Sequence, residues 1–580
     1  MARDDSRLIK GLMQKSPRGR WFYINAIGVL VAACSACSAL LLKLAMKIFH
    51  VVFFDILLDL ISFSVGGFNV AYLILPVIGA LIVSPILTRW AESAKGGGVG
   101  ALMESFTYKR ADVPARVWPL RLFGAAVTIG SGGSGGPEGP VIQAGGTVGA
   151  LFGSLLHFTP NEKRILIACG ASAGISAFFD APLGGSILIM ELLIPSFEFF
   201  ITIPIMIAGV VGGIIGGLVI EPGFALATIS YPATYSIAEY GIFILFGSII
   251  GLLGFCWIKF FLLAQKGLDR LKLHPALLPI IGAALTGLII MFVPGMGIEA
   301  DGEAGIEHVI TSGFLGVSLC LLGLLKMLAT TATVGSGGSG GLLAPGLYMG
   351  CMFGGGVASL LDLLFPGNIQ SIDIFFVLGM GTFFSAASQE PIGIMILIIE
   401  LADNAGLILP LMTTTIVSFS LVWLLSRGQL IYTTRQEIKR MPIRTDTITM
   451  YLNTSVSGYI VRDVEPFRPE QRVSEIRESF ARQSLPAVPV LQHGKAIGVI
   501  TAGDLAKVAP EASPVTTVAA VMTINFPSIM SFTKIQDALD RMVELGTDWL
   551  VLLHPGDQHA YFGLFVHEQF MHKMRMADFI

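Results

Sequence analysis

The chain has 580 residues, of which 53% are hydrophobic and only 13% charged. A soluble domain carries roughly a quarter charged residues, so an ordinary soluble enzyme is excluded and a polytopic membrane protein is indicated. With 37 basic and 40 acidic side chains, net −3, there is no basic field to gather nucleic acid, and none is expected as a partner.

Residues 1–20 carry Arg3, Arg7, Lys10, Lys15, Arg18 and Arg20 without a small-residue cleavage site, and read as a cytoplasmic amino terminus. Spans follow from Trp21 to near Phe49 and from Val70 to Leu87. The apolar stretches near 119–157, 164–195, 316–360 and 371–401 are cut repeatedly by Gly and Pro. Interrupted helices of this kind need protein or water around them. Further spans are predicted near 200–220, 237–266, 275–294 and 406–426, and Arg427, Arg435, Lys439, Arg440 and Arg444 follow the last. Basic residues beyond both ends place both termini in the cytoplasm, and a prokaryotic plasma membrane is the expected location. The six cysteines all lie in apolar segments, with Cys34 and Cys37 the one close pair. They read as small packing residues.

One phrase returns. Val127-Thr128-Ile129-Gly130-Ser131-Gly132-Gly133-Ser134-Gly135-Gly136-Pro137-Glu138-Gly139-Pro140 is echoed by Ala332-Thr333-Val334-Gly335-Ser336-Gly337-Gly338-Ser339-Gly340-Gly341-Leu342-Leu343-Ala344-Pro345, a spacing of 205 from 130 to 335. Pro182-Leu183-Gly184, leading to Glu191, returns as Pro391-Ile392-Gly393, leading to Glu400, a spacing of 209 from 182 to 391. Two segments returning at nearly equal spacing indicate a duplicated unit, and glycine-interrupted segments at matching places in two halves are the signature of transporters built from inverted repeats. A flexible linker does not recur inside apolar sequence, and a phosphate-binding loop would need a Gly-Lys-Ser/Thr ending that neither copy has.

A backbone stripped of side chains lets amide N–H groups, and the positive ends of helices starting near Glu138 and Leu342, face one small anion. Partial charges hold an ion weakly enough to release it. Glu138 is the exception: its counterpart is Leu343. An ionised carboxylate at that place would occupy the anion site itself, and would leave it when protonated or displaced. It is read as a tethered competitor, and so as a gate, against the alternative of an acid that merely complements the helix dipole. Glu191 and Glu400 are read as helix-packing acids satisfied by backbone groups.

At these residues the sequence resembles the CLC family of chloride channels and chloride/proton exchangers. Gly136-Pro137-Glu138-Gly139-Pro140 is similar to the family's G-(K/R)-E-G-P, with Pro137 in place of the basic residue, and Gly341-Leu342-Leu343-Ala344-Pro345 to its G-x-F-x-P. The resemblance implies an α-helical inverted repeat of broken, tilted helices over 21–445, with repeat one near 21–220, repeat two near 237–426 and a final helix from about 432. It implies a homodimer in lipid, chloride as the transported ion, and transport rather than catalysis. It carries anion binding to Gly97, Gly98, Gly136, Gly139, Leu342 and Leu343. To these it adds Tyr432, whose hydroxyl would face the ion, against the alternative of an interfacial aromatic anchor. The family's G-S-G-I-P appears as Gly96-Gly97-Gly98-Val99-Gly100, so Gly97 replaces a coordinating serine and selectivity among chloride, bromide and nitrate stays open. Leu192 stands where exchangers carry an inner proton-relaying glutamate, and a leucine relays none. The expectation is therefore a passive chloride channel gated by Glu138, with a chloride/proton antiporter as the alternative and a membrane-anchored nucleotide sensor without ion flux as a remote one.

From about Tyr459 charges return every few residues, and 455–580 resembles the paired CBS domains on many CLC proteins, an α/β fold. Such pairs hold adenine nucleotides with a Gly-x-x-Thr-x-x-Asp phrase. Gly498, Thr501 and Asp504 satisfy it, whereas Gly563, Val566 and Gln569 do not, so at most one nucleotide site is expected and a purely structural role stays open. No metal site is expected, and no cofactor is required.

Overall fold

The computed structural model describes residues 17–107, 111–194, 199–219, 234–312, 314, 316–426, 431, 455–461 and 464–570. It divides into two compact units, Met1–Met441 and Pro442–Ile580.

Among its described residues the first unit is helical, apart from a short hairpin of β1 (Ser64–Val65) and β2 (Phe68–Asn69). Among the described residues it is two successive sets of eight helices. The first set is α1 (Pro17–His50), α2 (Ala71–Trp90), α3 (Val99–Thr107), α4 (Val117–Gly130), α5 (Glu138–Leu155), α6 (Pro160–Phe179), α7 (Pro182–Leu193) and α8 (Phe199–Gly217). The second is α9 (Ile237–Arg270), α10 (Leu278–Phe292), α11 (Glu303–Ser312), α12 (Leu319–Gly335), α13 (Leu343–Leu364), α14 (Asp373–Ser388), α15 (Pro391–Ala402) and α16 (Ile408–Ser426). Each member of one set has its counterpart in the other at about the spacing of the sequence repeat.

Gly and Pro set the breaks as the sequence leads one to expect. Prolines open α6, α7 and α15 at the first turn, where the missing N–H costs nothing. Among the described residues five helical stretches are long and apolar enough to cross a membrane, while α4, α7, α10, α12, α14 and α15 are shorter. The 14 residues of α4 reach only about 21 Å at 1.5 Å per residue, short of a roughly 30 Å hydrocarbon core. α4 accordingly ends inside the protein, with Ile129 and Gly130 buried. The first span runs beyond its expected end, through a π-helical stretch (Val51–Leu57) and a final turn (Leu58–Ile61), because the apolar run continues there and Phe53 is buried.

α7 and α15 lie against each other, and each ends on the glutamate that caps the other. Glu400 accepts the N–H of Leu183 at 3.0 Å and of Gly184 at 2.5 Å. Glu191 accepts those of Ile392 at 3.4 Å and Gly393 at 2.7 Å. The backbone-satisfied reading of these two acids matches the geometry.

The second unit carries a five-stranded sheet in the order β3-β4-β7-β6-β5: β3 (Ala487–Gln492), β4 (Lys495–Thr501), β5 (Ser528–Met530), β6 (Trp549–His554) and β7 (Asp557–Val566). Helices α17 (Val473–Gln483), α18 (Ala502–Ala506), α19 (Val518–Val521) and α20 (Ile535–Leu545) accompany it. Val488, Val499, Val551 and Leu564 are fully buried within its core.

Candidate anion site

The two glycine ribbons meet. Gly136 N–H donates to the Gly341 carbonyl at 2.9 Å and Gly341 N–H to the Gly136 carbonyl at 2.5 Å, an antiparallel bridge that joins the halves just before α5 and α13 begin. The close approach requires glycine, since a Cβ on Gly135 would press on the Gly340 Cα, and one on Gly340 on the Gly135 Cα. Ser134 adds ties to the second half, its N–H donating to Thr333 Oγ1 at 3.1 Å and its hydroxyl lying 3.0 Å from Thr330 Oγ1.

Glu138 is the first residue of α5 and is 1% exposed. Its Oε1 accepts the N–H of Leu343, the first residue of α13, at 2.5 Å. Oε2 is buried without a hydrogen bond. A Cβ on Gly136 or on Gly341 would overlap this carboxylate, so both glycines make the room it fills. The carboxylate therefore sits where the positive ends of two helices converge, the place that suits a monovalent anion.

Gly139 lies against the Gly97 carbonyl and the Gly341 Cα, which brings the 96–98 loop to the same junction. Gly98 takes φ +74°, and a Cβ there would strike Gln143 Oε1 and the Arg121 guanidinium. Around Gly97, by contrast, nothing lies within 4 Å of a would-be Cβ. Leu342 is the residue preceding α13 and is buried, as is Leu343. Gly97, Gly98, Gly136, Gly139, Leu342 and Leu343 thus gather around Glu138, whereas Tyr432 lies outside the described residues. Leu192 is buried near the end of α7, directly after Glu191.

Two cations escaped the sequence reading. Arg121 in α4 is fully buried and donates to the carbonyls of Ala94, Gly96 and Gly97 at 2.5, 2.9 and 2.7 Å and to Ser339 Oγ at 3.1 Å. Lys326 in α12 is equally buried and donates to the carbonyls of Gly297, Ile298, Glu299 and Ala300 at 2.8, 3.1, 3.3 and 3.0 Å. A lone cation in an apolar helix is a signal in itself, and these two stand at the repeat spacing, 121 to 326.

In the second unit Thr501 and Asp504 form a capping box at the start of α18. The Thr501 hydroxyl and N–H donate to Asp504 Oδ2 at 2.7 and 3.1 Å, Thr523 Oγ1 donates to it at 3.2 Å, and Lys507 Nζ to Oδ1 at 3.1 Å. The phrase expected to meet a nucleotide is thus also a helix start. No cluster of His, Cys, Asp or Glu able to hold a metal occurs among the described residues.

Comparison with known proteins agrees with this geometry. A family model described as voltage gated chloride channel matches residues 79–422, and a CBS domain model matches 456–511. The H(+)/Cl(-) exchange transporter ClcA of Vibrio campbellii is 30% identical over 354 residues, 60% of this chain and 75% of that protein. The protein of the same name in Vibrio cholerae is 29% identical over 387 residues, 64% of this chain and 81% of its own. Among solved structures, a slow cyanobacterial Cl-/H+ antiporter aligns with a TM-score of 0.64 at 25% identity, over 72% of this chain and 98% of its own. A eukaryotic CLC transporter shares the fold over 97% of this chain and 98% of its own, with a TM-score of 0.59 at 15% identity. With a helical inverted repeat, a C-terminal strand-and-helix CBS region and a family model covering more than half its length, the chain belongs to the voltage gated chloride channel, or CLC, family of anion transporters.

Proposed function

We propose that the protein exchanges chloride for protons across a membrane, with Glu138 as the group that serves both ions. The observation that carries this is the Glu138 carboxylate at the start of α5, accepting the Leu343 N–H at the start of α13. An ionised carboxylate there excludes chloride by occupying its place. Protonation weakens its hold on the N–H and frees the position for the halide, so that one site alternates between a tethered anion and a mobile one. Gly97, Gly98, Gly136, Gly139, Leu342, Leu343 and Tyr432 are proposed to line the halide's path.

The passive-channel expectation rested on Leu192. The ClcA relatives are named exchange transporters and the cyanobacterial structure an antiporter, and this moves the reading to the antiporter. Leu192 then means that protons reach Glu138 from the inner side without a carboxylate at that place. Further proposals are a homodimer in lipid, both termini in the cytoplasm of a prokaryotic plasma membrane, a transport domain over 21–445 and a CBS pair over 455–580. The CBS pair is proposed to hold at most one adenine nucleotide, at Thr501 and Asp504.

The test is the reversal potential of the protein reconstituted in liposomes. Under exchange it shifts when a pH gradient is imposed at fixed chloride. A potential set by chloride alone overturns exchange and returns the passive reading.

A further inference from the structure

Arg121 and Lys326 are more than two buried cations, because each shares an acceptor with the opposite ribbon. The Ala300 carbonyl accepts Lys326 Nζ at 3.0 Å and also the Gly135 N–H at 3.1 Å. The Gly96 carbonyl accepts Arg121 Nη1 at 2.9 Å and also the Gly340 N–H at 3.3 Å. The correspondence extends to the backbone, for Gly96 has φ +62° and Ala300 φ +53°. Both acceptors take the left-handed conformation, unfavourable for an alanine, and this turns one carbonyl toward both donors. Gly135 lies three residues before Glu138, and Gly340 three before Leu343.

Among the described residues neither cation forms an ion pair with a carboxylate. A buried charge satisfied by three or four carbonyls is costly to place, yet it fixes those carbonyls as a group. We propose that Lys326 and Arg121 are paired positioning residues, each clamping a loop of its own repeat so that one carbonyl of that loop holds the glycine ribbon of the other repeat. Lys326 thereby sets the place of the segment that carries Glu138, and Arg121 the place of the segment that carries the Leu343 N–H. The clamp concerns where the ribbons lie and does not depend on which ion is moved. Only its effect on transport rests on the exchange reading.

The experiment is hydrogen–deuterium exchange by mass spectrometry on the full-length protein in lipid nanodiscs. Lys326→Met removes the cation and keeps the stem. Exchange is expected to rise about tenfold or more in peptides covering 295–303 and 131–138, while 94–99 and 336–340, whose N–H groups do not donate to the loosened segment, stay within about twofold of the unsubstituted protein. Arg121→Met gives the mirror image, and Lys326→Arg restores protection, since a guanidinium already serves the matching place. Should Lys326→Met not yield folded protein, Lys326→Gln, which keeps an N–H donor, is read the same way. An unchanged 131–138 peptide overturns the proposal, and so does an equal rise in all four peptides, which marks general loosening. In liposomes Lys326→Met should also move the pH profile of chloride flux, with Lys326→Arg returning it. A fixed profile alongside the expected exchange pattern overturns the transport consequence alone.

Discussion

Glu138 and Leu343 occupy the same position in the two repeats, 205 residues apart, and they are hydrogen-bonded to each other, side-chain oxygen to backbone N–H at 2.5 Å. The duplication therefore supplies both halves of the proposed gate: one copy keeps an acid, and the other has an apolar side chain and offers only its amide. Glu138→Gln keeps the shape but can neither ionise nor carry a proton. Proton movement should fall to background while chloride flux persists and loses its dependence on pH. Paired chloride-electrode and pH-electrode recordings from liposomes check this, and retained coupling would remove Glu138 from the proton path.

Gly341 offers a test that leaves the acid in place. A Cβ there would overlap Glu138 Oε1 and crowd the Gly139 N–H, so Gly341→Ala should evict the carboxylate. Overpacking of this kind costs roughly 1–3 kcal/mol. Chloride flux in Gly341→Ala is expected to lose its pH dependence although Glu138 is intact. Gly241→Ala is the control, because nothing lies within 4 Å of a Cβ at that helical position.

Much of this was legible in the residues. Recurrence of the glycine phrase inside apolar sequence pointed to two facing ribbons, and the absence of side chains there is what permits the backbone approach. Glu191 and Glu400 were readable as acids that serve backbone groups, since each ends an apolar helix. That each caps the other's helix was not readable, because it depends on the antiparallel meeting of α7 and α15. The Arg121 and Lys326 clamps were within reach, as both cations interrupt apolar runs at the repeat spacing. Their acceptors were not, because they are main-chain carbonyls, and carbonyl direction depends on dihedral angles such as those of Gly96 and Ala300, which residue identity sets only loosely.

Gly97 stands where a coordinating serine is expected from the family pattern, and the space beside it is open. Gly97→Ser should therefore be accepted without strain and add a hydroxyl donor in the open space beside the 96–98 loop. One hydrogen bond contributes about 0.5–1.5 kcal/mol net, which corresponds to a roughly two- to tenfold lower half-saturating chloride concentration. Isothermal titration with chloride and nitrate checks both affinity and selectivity. No change for either anion would place Gly97 off the ion's path.

The reciprocal caps of α7 and α15 predict stability rather than transport effects. Glu400→Ala leaves the Leu183 and Gly184 N–H groups without their carboxylate, and Glu191→Ala does the same at Ile392 and Gly393. Lost partners to such groups cost about 1–3 kcal/mol where they are buried, and partial exposure of this pair places the expectation at the lower end. Thermal unfolding in detergent should show both single variants destabilised. Double-mutant analysis should find the two effects nearly additive, because each glutamate serves a different helix end.

Asp504 links the tail to pH. Burial pushes its carboxyl upward, but the hydrogen bonds from Thr501 and Lys507 outweigh this and hold it below the usual carboxylate range. A carboxyl depressed in the folded state stabilises it above the unfolded value, and that contribution is lost as pH falls through the lower, folded one. The tail should therefore loosen only on acidification below the ordinary aspartate range, with a titration that Asp504→Asn removes. Asp504→Ala also deletes the N3 half of the capping box and should loosen the start of α18 at all pH values. Exchange mass spectrometry of peptides 498–508 across acidic pH checks both effects. Protection that is independent of pH in the unsubstituted protein would show that the Thr501–Asp504 pair is not what holds α18 to β4.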